Sequence, residues 1–216
     1  LFNLTQKIMQ KLKLPVGKYS KNKIREIAEE YGLINAKKPD SQDICFIPDG
    51  DYKKFINKKV SEKEGKIINS EGKKLGSHKG IHNFTIGQRK GLGIESTGKP
   101  LFVTKIYPGN NTVEVGPSDE LMQTKAFISS LNIISGKGID DKKPIYAKIR
   151  YKSTPAKGRL ELKSNGNALF IFDQPQRAIT PGQALVFYHD NQVVGGGFIE
   201  YEDSAKEIEK EMAKSL

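Results

Sequence analysis

One cysteine, Cys45, three histidines and no tryptophan in 216 residues make this a chain poor in soft metal ligands and in thiols. A lone thiol excludes an internal disulfide framework and fits a reducing compartment. Three scattered histidines supply no zinc-type spacing, so no metal is implied within these residues. Also missing is any apolar run approaching the ~18 residues that cross a bilayer, and no charged-then-apolar export segment opens the chain. The expected location is the cytoplasm, with no membrane partner. Acidic residues are the scarcer charge: 25 Asp+Glu against 36 Lys+Arg leave a formal charge of +11. That surplus suits a polyanionic partner, whose phosphates release condensed counterions when contacted, although a lysine-rich solvated surface has the same composition.

The first residue is Leu1, and "LFNLTQKIMQKL" reads as an apolar-periodic helix already under way, which predicts a piece of a longer protein. Leu14-Pro15-Val16-Gly17 interrupts it. Ser20 then offers a side-chain oxygen to the free amides of a second helix. Ile24, Ile27, Ala28 and Tyr31 recur at spacings of three and four, and Gly32 suits the left-handed position that ends such a helix. Residues 1–33 are therefore expected to be helical. After a basic loop through Lys37 and Lys38, another helix is expected from Asp49 or Asp51, with Tyr52, Phe55, Ile56 and Val60 on one face.

From Gly65 onward the pattern changes to short β-type runs separated by Gly, Asn and Asp. Lys148, Arg150 and Lys152 alternate with Ala147, Ile149 and Tyr151, the period of a strand with one wet face. Asn165-Gly166 and Asp190-Asn191 each sit between two strand-like runs, as hairpin turns do. Closely spaced short strands point to small barrels rather than a parallel sheet. The expected division is 1–60, mainly helical; 61–120, a small β-rich domain; 121–203, a β-barrel; and 204–216, a charge-balanced tail.

Several stretches invite a chemical reading. "HNFTIGQRKGLGI", residues 82–94, sets Gly87, Gly91 and Gly93 around Gln88, Arg89 and Lys90. It reads equally as a backbone cradle for phosphates or as a plain glycine-rich β-loop, and its spacing is not that of a phosphate-binding loop. "KIRYKS", residues 148–153, combines cations with an aromatic, which fits phosphate contact plus base stacking or merely a cationic strand face. "AITPGQALVFY", residues 178–188, is a Pro-Gly turn entering a strand. In "DSQDICFI", residues 40–47, Cys45 lies among apolar neighbours, where a free thiol ordinarily serves as a small hydrophobe.

Taken in order, "LFNLTQ", "LPVGKYSKNKIREIAEEYGL", "AKKPDSQDICFIPDGDYKKF", "GKKLGSHKG", "HNFTIGQRKGLGI", "YPGNNTVEVG", "KIRYKS", "FDQPQRAITPGQALVFY" and "VVGGGFIE" resemble the tRNA-specific 2-thiouridylase family over residues 1 to about 201. The resemblance implies an α+β protein: a helical remnant of an ATP-pyrophosphatase-type α/β domain, a small mostly-β central domain and a C-terminal antiparallel β-barrel. The family's Ser-Gly-Gly-x-Asp-Ser phosphate loop and first catalytic cysteine do not occur in this sequence. ATP, and Mg with it, would therefore bind outside these residues, and the chain alone is expected to be inactive. Cys45 takes the place of the second catalytic cysteine, a persulfide carrier. In the reaction the resemblance implies, ATP would adenylate the wobble uridine at its C2 oxygen, and sulfur would replace that oxygen as AMP leaves. The partner cysteine frees the sulfur by thiol-disulfide exchange, which would join it to Cys45. Lys37 and Lys38 would favour the Cys45 thiolate, whereas Asp40 and Asp43 would oppose it. For tRNA the resemblance implicates Arg150, Tyr151 and Gln183, with Arg89 and Lys90 as lesser contacts. It also implies a sulfur-carrier protein or cysteine desulfurase as donor. The competing expectation is a non-catalytic RNA-binding β-barrel module of translation-factor type, to which Cys45 would be superfluous.

Overall fold

A computed structural model of the chain describes residues 1–39, 47, 55–56, 59–60, 62–95, 98–134, 136, 138–140, 142–163 and 166–201. The chain divides into two compact units, Lys7–Ser61 on one hand and Leu1–Gln6 with Glu62–Leu216 on the other.

In the first unit the helical expectation holds in part. The helix α1 is only Gln6–Met9, and turns follow it as far as Ser20, so residues 1–33 are not helical throughout. The interruption is local chemistry: the Gly17 amide closes a turn on the Leu14 carbonyl, and Pro15 offers no amide. The second helix, α2, spans Lys21–Glu30. Ser20 caps it by accepting the Lys23 amide at 3.3 Å, and Gly32 follows in the left-handed conformation at φ 65°. Its apolar stripe is half-buried at Ile24, Ile27 and Ala28, but Tyr31 is 77% exposed. Phe55 and Ile56 are helical, and the predicted start of that helix at Asp49 or Asp51 lies outside the described residues.

The second unit carries two β bodies. Strands β1 (Gly65–Ile68), β2 (Lys74–His78), β3 (Phe102–Tyr107) and β4 (Thr112–Gly116) form a sheet in the order β2-β1-β4-β3. It is not closed, and its central pair β1/β4 is parallel, contrary to the expectation of barrels alone. The cause is long-range: the loop between β2 and β3 carries the chain over one face, so β4 returns beside β1. Asn111, at φ 53°, fixes that return by donating its side-chain amide to the carbonyls of Lys63 and Glu64 at 2.9 and 2.8 Å. The stretch 82–94 proves to be the cover of this sheet. Phe84, Ile86, Leu92 and Ile94 pack onto a core of Ile67, Val103, Val113 and Val115.

Strands β5 (Met122–Ile133), β6 (Ile145–Lys148), β7 (Ala156–Leu162), β8 (Ala168–Arg177), β9 (Ala184–His189) and β10 (Gln192–Ile199) close into a barrel, each pair antiparallel, in the order β10-β5-β8-β7-β6-β9. Closure leaves no unpaired edge. The β7/β8 hairpin turns at Gly166, φ 71°, with Asn165 outside the described residues, and the β9/β10 hairpin turns at Asp190, φ 52°. Gly195-Gly196-Gly197 lets β10 be approached on both sides. A Cβ on Gly195 would stand 2.4 Å from the Asn132 carbonyl oxygen, and one on Gly196 would stand 2.9 Å from the Phe2 ring. Phe2 is there because the first residues pack on the barrel: Asn132 donates to the carbonyls of Phe2 and Leu4, and Gln6 donates to that of Ile134.

Candidate nucleic-acid interface

The alternating run 147–152 was expected to continue as strand, but β6 ends at Lys148. The reason is Ser153. Its hydroxyl accepts the Arg150 amide at 3.2 Å and donates to the Arg150 carbonyl at 2.9 Å, while its own amide bonds that carbonyl at 3.1 Å. A side chain that supplies both donor and acceptor to one residue closes a turn in place of a ladder. Tyr151, which strand alternation would have turned inward with Ala147 and Ile149, therefore stands on a turn tip and is 93% exposed. Arg150 and Lys152 flank it, also exposed.

Gln183 lies on the turn between β8 and β9. Its amide bonds the Thr180 carbonyl at 3.2 Å, and its carbonyl accepts the Ile199 amide at 2.8 Å. The backbone is thereby anchored to β10, and the side chain is exposed. Arg150 reaches this same turn. One guanidinium nitrogen donates to the Ala178 carbonyl at 2.5 Å and lies 3.4 Å from the Thr180 hydroxyl. Two of the three residues named for tRNA contact, Arg150 and Gln183, are thus brought onto one turn system, with Tyr151 adjacent in sequence to Arg150. A guanidinium keeps further N–H groups after these bonds, and its charge is undiminished.

Sequence reasoning missed the residue at the centre of this arrangement. Ala178 is 2% exposed at φ 56°, a conformation costly to a non-glycine residue. Its amide bonds the Leu121 carbonyl at 2.8 Å, and its carbonyl accepts both Arg150 and the Thr180 hydroxyl. Nothing in "AITPG" announces a left-handed alanine.

The glycine-rich stretch does not form a phosphate cradle. Gln88 staples it internally, accepting the Thr85 amide at 3.1 Å and donating to the Lys90 carbonyl at 3.0 Å. The Gly87 amide bonds Val103, and a Cβ there would lie 3.5 Å from that of Ala178. The stretch leads into strand β3 rather than a helix, so helix amides that could hold a triphosphate are not offered. These residues do not fit ATP. Arg89 and Lys90 are exposed on this loop.

Cys45 lies outside the described residues, as do Asp40 and Asp43. Of the two lysines expected to favour its thiolate, Lys37 lies 3.7 Å from Glu29, with both side chains exposed. Among the described residues no group of His, Cys, Asp and Glu could hold a metal ion, and no helix is long and apolar enough to cross a membrane.

Comparison with known proteins adds three family models matched in succession. Residues 1–49 match the tRNA methyl transferase HUP domain, 53–117 the tRNA methyl transferase PRC-barrel domain and 123–199 the aminomethyltransferase beta-barrel domain. Curated relatives named tRNA-specific 2-thiouridylase MnmA are similar over most of the chain. That of Carboxydothermus hydrogenoformans is 43% identical over 202 residues, covering 93% of this chain and 55% of the relative. Those of Clostridium perfringens and Caldicellulosiruptor saccharolyticus are each 45% identical, covering 93% of this chain and 56% and 55% of the relative. The chain spans a little over half the length of the curated relatives it matches.

Proposed function

We propose that this chain, which belongs to the tRNA-specific 2-thiouridylase family, supplies the tRNA-docking barrel and the sulfur-carrying cysteine of a cytoplasmic enzyme that exchanges the C2 oxygen of the wobble uridine for sulfur. The observation that carries the docking half is the Arg150 guanidinium tied to the Gln183 turn beside a wholly exposed tyrosine. That pairing supports a division of labour. Arg150 contacts phosphate or sugar, Tyr151 stacks on or hydrogen-bonds an unpaired base, and Gln183 makes an amide contact. In this reading residues 1–60 extend a catalytic domain, 61–120 connect, 121–203 dock tRNA and 204–216 form a tail.

The chemical half rests on Cys45. Its sulfur carries an outer sulfur atom received from a sulfur-carrier protein or cysteine desulfurase. A second thiol, from a cysteine this sequence does not contain, attacks the Cys45 sulfur, forms a disulfide with it and expels the outer sulfur toward the uridine. Activation by ATP is assigned to no residue here, and the chain by itself is inactive in this reading.

Two experiments test it. In the full-length protein Cys45→Ser should abolish 2-thiouridine while leaving tRNA affinity and folding intact. Unchanged thiouridine would make the chain a binding module, and a product that gains a methyl group rather than sulfur would favour the methyl transfer named in the family descriptions. Arg150→Ala should weaken tRNA binding and reduce the slope of log affinity against log salt by about one counterion. A slope identical to the parent's would remove Arg150 from the phosphate contacts.

A further inference from the structure

The structure contains a cleft that none of the named contacts uses. It has a volume of about 560 Å³ and lies between the open sheet and the barrel, walled by residues 104–107 of β3 and 122–127 of β5 and floored by Ile179, Pro181, Ile199 and Tyr201. The size is that of a small-molecule or nucleotide site rather than a packing defect. Its walls are of mixed character. Met122 and Phe127 are apolar, Thr104 and Thr124 carry hydroxyls, and Lys105 and Lys125 carry positive charge. Lys125 is exposed, and Lys105 is 54% exposed at 3.9 Å from Glu114. Glu200, also lining the cleft, accepts the Ser129 hydroxyl on one carboxylate oxygen, which leaves the other for a base N–H.

The cleft shares its backbone with the interface already described. Along the turn after β8, Ala178 and Thr180 hold Arg150, whereas Ile179 and Pro181 line the cleft. A strand of RNA touching Arg150 has only this turn to cross before reaching the cleft. We propose that the cleft between β3 and β5 receives one unpaired nucleotide of the bound tRNA, its base against Met122, Ile179 and Pro181 and its phosphates at Lys105 and Lys125. This rests on the tRNA-docking reading. The occupant is RNA because the cleft joins apolar walls for a base to two cations for phosphates, the pairing by which single strands are held.

The test uses the full-length protein and a tRNA transcript with 4-thiouridine in place of uridine, photo-crosslinked and mapped by peptide mass, beside binding titrations over a range of salt. Crosslinks are expected in the β3 and β5 segments. Thr124→Phe, which fills the cleft from an exposed position, should remove them. Lys125→Ala should weaken binding about threefold to tenfold and lower the salt slope by about one. Unchanged thermal unfolding shows that the variants fold, and if Thr124→Phe does not, Lys125→Ala and the parent's crosslinks decide alone. Crosslinks confined to the Tyr151 turn, with the Lys125 variant binding like the parent and Arg150→Ala binding more weakly, would empty the cleft and leave the docking reading standing. If Arg150→Ala also binds like the parent, or the full-length protein binds no tRNA, the docking reading fails and takes the cleft with it.

Discussion

The open sheet and the barrel are both small antiparallel-rich bodies, yet they are built on opposite terms. Every polar or charged residue found buried among the described residues belongs to the sheet body: His78, Thr104, Asn111, Thr112 and Glu114. The barrel's buried cluster contains only hydrocarbon side chains, centred on Phe170, which stacks on Phe187 at 5.6 Å and tilts against Phe172 at 4.7 Å. A closed ladder satisfies its own backbone, so its interior needs nothing from polar side chains. The sheet must join a parallel pair and fold a long loop over one face. It does so with bonds that specific side chains supply, and each of those bonds makes its stability conditional.

The largest expected effect is in the barrel. Phe187→Ala removes a ring that is fully buried and leaves a cavity that neighbouring strands cannot collapse into, at a cost of about 3–5 kcal/mol. Urea unfolding followed by segment-resolved hydrogen exchange should show barrel amides losing protection first. Equal loss in the sheet would mean that the two bodies unfold as one.

A smaller effect sharpens the contrast by giving the sheet a barrel-like core. Glu114 is 7% exposed and accepts the Thr104 hydroxyl at 2.9 Å and the Tyr107 hydroxyl at 2.8 Å. Glu114→Leu strands the Thr104 hydroxyl and should cost about 1–3 kcal/mol. Combining Glu114→Leu with Thr104→Val and Tyr107→Phe removes donors and acceptor together and should recover most of that loss, read from unfolding midpoints. A triple variant no more stable than the single one would show that the carboxylate holds the sheet by something other than these two bonds.

The same contrast explains what the sequence disclosed. Hairpins announce themselves through turn chemistry, as at Gly166 and Asp190, and the Ser20 cap through its hydroxyl, because both are local. The closed barrel follows from such hairpins together with the family resemblance. What stayed hidden is long-range. The parallel β1/β4 pair depends on the chain's return past Asn111, and the burial of Glu114 depends on its meeting Thr104 and Tyr107 across the strand pair. Residues 148–153 have the alternation of a strand, and only the Ser153 hydroxyl ends it. In the candidate interface, Arg150, Tyr151 and Gln183 are named by resemblance alone. Ala178 was not, since its left-handed backbone is imposed by partners at Leu121 and Arg150. The cleft needs both bodies to exist, and Cys45 lies outside the described residues.

The mildest prediction separates the bodies by pH alone. His78 is 6% exposed, its ring 5.2 Å from that of Phe84, and its Nδ1 accepts the Gly80 amide at 3.0 Å. The remaining proton therefore sits on Nε2, and charging the ring would put a second donor against the Gly80 N–H. Burial pushes its pKa below the ordinary 6.5, the nearby His82 pushes the same way, and the Asn111 carbonyl offsets part of the shift. A folded-state pKa below the unfolded one means that the unfolded chain binds the proton more readily. The sheet thus keeps its full stability above pH 6.5 and loses it as pH falls from there toward the lowered folded value. Hydrogen exchange of sheet amides between about pH 8 and 5, corrected for the intrinsic rate, should show this decline, and His78→Gln should flatten it. The barrel's buried cluster contains no titratable side chain, so its amides should hold their protection over the same range. A parallel decline in the barrel would erase the distinction between a core held by polar bonds and one held by packing alone.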